Sequence, residues 1–174
     1  LFAILMSTLF LPQVVLNVPQ YIMYNIFGWV GSKLYLPLIV PSMFATETYF
    51  VFMLIQFLRN IPKELEEAAK IDGCNEIQTL IKVIVPMLKP ALVSCALFKF
   101  MWASNDFLGP LLYVNNPAKY PATIFVKLAM DSDAGFAWNR ILSTSLISIF
   151  PSIIIFFIAQ NQFVEGISAG GVKG

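Results

Sequence analysis

Apolar residues run along this chain in long, nearly charge-free stretches, not in the short alternations of half-buried strands. Four stretches reach the ~20 residues that a bilayer-spanning helix requires: about 1–18, 34–58, 91–114 and 141–164. The first belongs to a charge-free run that lasts until Lys33, and Pro12, Asn17 and Pro19 predict a kinked end, with Tyr21, Tyr24 and Trp29 beyond it at interfacial depth. The second contains one acid, Glu47, and stops at Arg59-Asn60-Ile61-Pro62. The third carries Lys99 and Asp106, while the fourth has no charge and is interrupted by Pro151. Phe44, Phe50, Phe52, Phe57, Phe156 and Phe157 read as lipid-facing or helix-packing residues, and Gln160 and Asn161 as hydrogen-bonding groups between helices.

The segment 59–89 has a different character. Five bases (Arg59, Lys63, Lys70, Lys82, Lys89) and five acids (Glu64, Glu66, Glu67, Asp72, Glu76) are concentrated there, so it belongs in water. Its Lys/Arg density predicts a cytoplasmic loop, and parity then puts the C-terminus on that side. The connections 19–32 and 115–140 face outward; the second mixes Lys119, Lys127 and Arg140 with Asp131 and Asp133.

Within the loop, Pro62 followed by Lys63-Glu64-Leu65-Glu66-Glu67-Ala68-Ala69-Lys70 predicts a short helix to about Ile71. Its acids lie near the positive end of the macrodipole. Gly73 stands where a left-handed residue would end that helix. Asn75 and Gln78 have capping-box spacing for a second one. Ile77, Leu80, Ile81, Ile84 and Val85 then make one apolar stripe ending at Pro86, expected to pack on the membrane bundle. Small Ala68 and Ala69 beside charges would let another protein's backbone come close. The plainer reading is a solvated loop with two amphipathic turns.

Composition narrows the chemistry. With 58% hydrophobic and 12% charged residues, the chain departs from soluble domains. A net charge of +1 argues against nucleic-acid binding. There is no histidine, which excludes Ser-His-Asp triads and His-metal sites; no catalytic, metal or cofactor site is expected, and the chain does not read as an enzyme. Cys74 and Cys95 form no CxxC and read as incidental thiols. No GxxxxGK[ST] phosphate loop occurs, so ATP hydrolysis would need another chain. Leu1 is not an initiator methionine, and its apolar run lacks a basic n-region and a small-residue cleavage site, so it does not read as a signal peptide; the chain reads as truncated on its N-terminal side. No solenoid repeat or linker divides the sequence, and residues 1–174 read as one membrane domain.

Glu67-Ala68-Ala69, three residues, Gly73, nine residues, then Val83-Ile84-Val85-Pro86 resembles the EAA loop of permease subunits of ATP-binding-cassette (ABC) importers: Glu-Ala-Ala, three, Gly, nine, Ile, one, Leu-Pro. Val83 and Val85 are conservative departures from it. Ile61-Pro62-Lys63-Glu64-Leu65, Ile71-Asp72-Gly73 and the tail from Val164-Glu165-Gly166-Ile167 to Gly170-Gly171-Val172-Lys173-Gly174 are similar to the carbohydrate branch, in particular the smaller permease of maltose-type systems. Trp102, Asn105, Phe107 and Pro110 resemble that branch's fifth span, with Ser104 and Asp106 departing from it.

The resemblance covers nearly the whole chain. It implies an all-α, multi-span membrane helix bundle of the type I importer kind, with these spans as the last four of six. It implies a bacterial-type inner-membrane location and three kinds of partner: a second permease, a cytoplasmic ATPase dimer and an extracytoplasmic solute-binding protein. Glu67, Ala68, Ala69, Asp72, Gly73 and Pro86 would then form the contact with the ATPase and the lever behind it. Trp102, Asn105 and Asp106 are candidates to line a sugar pathway, since aromatic faces and hydrogen-bonding groups suit carbohydrate; the plainer alternative places Asp106 in interfacial water at a span end. Polyols, sugar phosphates or other small solutes are the alternative substrates. An ion-coupled secondary transporter would show repeat-related broken spans and leave the EAA spacing unexplained.

Overall fold

The computed structural model describes residues 2–44, 46–130 and 138–171, with side chains through residue 160. Asp131, Asp133 and the last residues of the glycine-rich tail lie outside the described residues. Among the described residues the structure is helical and contains no strand. Three helical stretches are long and apolar enough to cross a membrane: Leu36–Arg59, Glu76–Ser104 and Trp138–Gln160. A fourth arises if the bent pair Phe2–Phe10 and Gln13–Ile26 is one span. The chain divides into two compact units, one of residues up to Thr48 with Phe100–Ile154, the other of Tyr49–Lys99 with residues from Ile155 onward.

In the first unit, helix α1 (Phe2–Ser7) passes into a single 3₁₀ turn, and α2 (Gln13–Ile26) departs at 96°. Pro12 makes this corner. It is held extended (φ −68°, ψ 121°) and serves as the N-cap of α2. The second proline, Pro19, lies inside α2 without ending it, so the helix continues past Val18 to Ile26. Tyr24 is consequently buried, stacked on Trp29 at 5.6 Å and edge-on to Tyr113 at 5.4 Å. The loop after α2 is tied to this cluster by the Gly31 amide, which donates to the Tyr113 carbonyl at 2.9 Å. Gly31 has φ +71°, and a Cβ there would meet Asn115 Nδ2 at 2.7 Å, so both backbone and space require glycine. Helix α3 (Leu36–Ile39) starts after left-handed Tyr35, and the fully buried Ile124 belongs to this unit's core.

The second unit contains α4 (Thr48–Arg59) from Tyr49 on, α5 (Lys63–Ile71) and α6 (Glu76–Thr79). A π-helical turn, Leu80–Ile84, joins α6 to α7 (Val85–Ser104). The second loop helix therefore does not end at Pro86: it is continuous with the third apolar stretch, a single run of 29 residues. The reason lies in the prolines. Proline has no N–H and its ring presses on the carbonyl four residues back, here that of Lys82, so Pro86 should break an α-helix. The π turn precedes it, with the Val85 amide reaching Leu80 O, and widens the backbone at that point. Further along, the Ser94 hydroxyl donates to the Pro90 carbonyl at 2.9 Å. Leu88, Ala91, Ser94 and Leu97 are buried along one face of α7.

The third stretch also stops earlier than its hydrophobicity predicts. Helix α7 ends at Ser104, and a separate short helix, α8 (Leu108–Tyr113), follows. Helix α9 (Ala122–Met130) precedes α10 (Trp138–Gly171), whose 34 residues extend beyond 141–164 at both ends, with Pro151 inside. At ~1.5 Å per residue α10 is longer than the ~30 Å hydrocarbon core. Leu146, Ile147, Phe150, Phe157 and Ile158 on it are exposed, the arrangement expected where lipid or another chain supplies the apolar surroundings.

Candidate coupling loop and broken span

The coupling loop is built by local chemistry at both helix ends. Pro62 caps α5 in the extended conformation, Glu64 and Glu66 occupy its first turn and Lys70 its last, each charge complementing the helix dipole. At the C-terminal end the Cys74 amide donates to Ala69 O at 2.9 Å and the Gly73 amide to Lys70 O at 3.1 Å. This pair of bonds is a Schellman motif, which requires a left-handed residue at Gly73, and its φ is +80°. Helix α6 then opens with the full capping box: Gln78 N–H donates to Asn75 Oδ1 at 2.8 Å, and Asn75 N–H to Gln78 Oε1 at 3.0 Å. Two helix ends are thus satisfied within the few residues between α5 and α6, which makes a defined corner.

The structure separates the two alanines. Ala69 is buried, with 6% of its surface exposed, whereas Ala68, Glu67 and Asp72 are exposed. Ala69 therefore forms part of the packing inside this unit, where α5 touches α6 and the π turn, and Ala68 is the small residue on the outside. The stripe on the second helix is not packed as its spacing predicts. Ile77, Leu80 and Ile81 are 68%, 50% and 60% exposed, and of the five residues Ile84 alone is buried. The π turn shifts the register in mid-stripe, so the face read from a 3.6-residue repeat does not stay in one plane. Thr79, which the pattern did not single out, is buried instead, and its hydroxyl has no hydrogen-bond partner.

In the other unit, Trp102, Asn105 and Asp106 lie at or beside the break between α7 and α8. Trp102 and Asn105 are exposed, and Asn105 Nδ2 donates back to Met101 O at 2.8 Å. Asp106 is half-buried. Its Oδ1 accepts the Gly109 amide at 3.1 Å, and its carbonyl accepts the Thr123 hydroxyl at 3.2 Å. Gly109 and Thr123 were not flagged by apolar pattern or motif. The available signal was the acid itself, Asp106, three residues before Gly109, a spacing at which a carboxylate can accept a backbone amide at the start of a helix.

The fold and the capped loop define a class: a multi-span helical membrane protein with a rigid two-helix corner between two apolar spans. Residues 1–165 match the family described as binding-protein-dependent transport system inner membrane component, and the chain belongs to that family. It is an integral membrane protein. Among curated proteins it is 33% identical over 147 residues, 84% of this chain, to the trehalose/maltose transport system permease protein MalG of Thermococcus litoralis. It is 32% identical over 163 residues, 94% of the chain, to the sulfoquinovosyl glycerol transport system permease protein SmoH of Agrobacterium fabrum. Over 124 residues, 71% of the chain, it is 36% identical to the osmoprotective compounds uptake permease protein GgtD of Synechocystis. The chain spans about half the length of these relatives, 52%, 56% and 41% respectively.

Proposed function

We propose that this chain belongs to the transmembrane permease subunit of an ATP-driven, binding-protein-dependent sugar importer. It forms half of the translocation pathway and works with a second, related permease. Hydrolysis of ATP takes place in a separate cytoplasmic ATPase dimer, and an extracytoplasmic binding protein delivers the solute. The observation that carries this reading is the loop itself: Glu67, Ala68, Asp72 and Gly73 are presented on a corner fixed by a Schellman motif and a capping box. Ala69 supports that corner from within, and Pro86 follows the joint that connects it to α7. A helix pair set rigidly between spans suits transfer of motion from an ATPase to the membrane. On this reading the loop and the C-terminus are cytoplasmic, which the density of Lys and Arg in the loop supports.

For the pathway, Trp102 and Asn105 are proposed as lining residues at the break after α7, with Asp106 beside them. Carbohydrate is favoured because two of the relatives above are named for sugar-containing solutes. A second reading, uptake of another small polar solute, is favoured by the relative named for osmoprotective compounds. The test is purification of the full-length protein from native membranes in detergent, with mass spectrometry and an ATPase assay of the eluate. Co-purification of a second permease, an ATPase and a binding protein is the expected result. Recovery of the protein alone and without ATPase activity would overturn the proposal.

A further inference from the structure

We infer that Asp106 is a positioning residue: its carboxylate and carbonyl hold the break in the third span, so that Trp102 and Asn105 face the pathway while Asp106 itself does not bind solute. This inference rests on the permease reading above for its functional meaning, though not for its geometry. An acid near the end of a membrane span is ordinarily read as a ligand or a proton carrier. Here its hydrogen-bonding capacity has other uses.

Asp106 sits where α7 has ended and α8 has not begun. The first turn of any helix has amides without intrahelical partners. In α8 the Gly109 amide is one of them, and it donates to Asp106 Oδ1 at 3.1 Å; the next residue, Pro110, has no amide to satisfy. Leu111 N–H then makes the first regular bond, to Phe107 O at 3.2 Å. The Asp106 carbonyl is engaged as well, by the Thr123 hydroxyl from the first turn of α9. One residue thereby ties the end of α7 to the starts of α8 and α9.

Gly109 completes the arrangement by close approach. A Cβ at this position would collide with Asp106 Oδ2 and would lie 3.0 Å from Leu38 Cδ2 on α3. The carboxylate thus lies directly over the Gly109 backbone, and α3 closes the other side. A side chain at 109 would push the carboxylate off the amide it caps. Because the carboxylate is the main obstruction, its removal should relieve most of the penalty of adding that side chain, and the two changes must couple.

The experiment is a double-mutant cycle in the full-length protein, co-purified with its partners and reconstituted in proteoliposomes. ATP-driven uptake of radiolabelled maltose and thermal unfolding in detergent are read for wild type, Asp106→Asn, Asp106→Ala, Gly109→Ala and the Asp106→Ala/Gly109→Ala pair. The carboxamide oxygen of asparagine can accept the same Gly109 amide, so Asp106→Asn should keep uptake within about twofold of wild type, whereas Asp106→Ala, which loses that acceptor, should lower it roughly tenfold. The loss caused by Gly109→Ala should largely disappear in the Asp106→Ala background. Asp106→Asn as inactive as Asp106→Ala, with the Asp106→Ala and Gly109→Ala losses simply multiplying, would overturn the inference and make the carboxylate's charge a pathway element. Should the wild-type complex move no maltose, the same cycle in unfolding temperature decides: coupling between 106 and 109 supports the cap, and additivity overturns it. Absence of maltose uptake would count against maltose as the solute and leave the geometry to the unfolding cycle.

Discussion

Gly73 has the clearest physical requirement in the coupling loop. Nothing lies within 4 Å of the position a Cβ would take, so space does not exclude a side chain; the backbone does, at φ +80°. A left-handed conformation disfavours ordinary L-residues by about 1–2 kcal/mol, and asparagine tolerates it best. Gly73→Asn should therefore retain most of the solute-stimulated ATPase activity of the reconstituted complex, and Gly73→Val should lose it while the protein still inserts. Equal activity of the two variants would show that the corner's conformation does not matter for coupling. Asn75→Ala removes one half of the capping box, and about 1 kcal/mol of stabilisation of α6 should go with it. Hydrogen exchange at the Gln78 amide, which that side chain holds, should accelerate about fivefold by the same 1 kcal/mol. These positions were legible in the sequence because helix ends are local: glycine, asparagine and glutamine at fixed offsets determine them without help from the rest of the molecule. The burial of Ala69 was not legible, since two adjacent alanines are identical in every local respect and packing with α6 distinguishes them.

Among the elements, the π turn Leu80–Ile84 governs how the loop is joined to the span. A corner attached through a flexible linker could not transmit rotation, whereas one attached through continuous helix can. Insertion of one alanine between Met87 and Leu88, in the α-helical run just past the turn, would rotate α5, α6 and the turn by about 100° relative to the rest of α7. The expected outcome is an inserted, assembled complex in which ATP hydrolysis no longer drives uptake; normal uptake would show that the joint's register is irrelevant. The two prolines of this run show where sequence reading falls short. Pro86 and Pro90 are helix-breaking by intrinsic preference, yet both lie inside α7. At Pro86 a wider turn precedes the ring. The same preference read Pro12 correctly as a kink, because nothing upstream widens the helix there. The end of α7 at Ser104 was hidden for another reason: hydrophobicity continues through Phe107, Leu108, Leu111 and Leu112, and the interruption shows only in the polar Ser104-Asn105-Asp106, the last of which accepts the Gly109 amide of α8.

At the scale of the whole molecule, the apolar stretches and the polar segment between the second and third were evident from composition. They mark a multi-span membrane chain, and the spacing of Glu67-Ala68-Ala69, Gly73 and Pro86 within the polar segment carries the resemblance to the family. What a single chain leaves open is what surrounds it. Exposed Ile77, Leu80 and Ile81 on the loop, and exposed Leu146, Ile147 and Phe157 on α10, need lipid or protein neighbours that sequence periodicity does not name. The central claim, that this chain couples a separate ATPase to passage of a solute, is tested most directly by uptake in proteoliposomes. These would hold the full-length protein with its co-purified partners, with ATP inside and the solute-loaded binding protein outside. Accumulation that requires both ATP and the binding protein, and that is unaffected by collapse of ion gradients, is the predicted result. Accumulation driven by a proton or sodium gradient without ATP would contradict it.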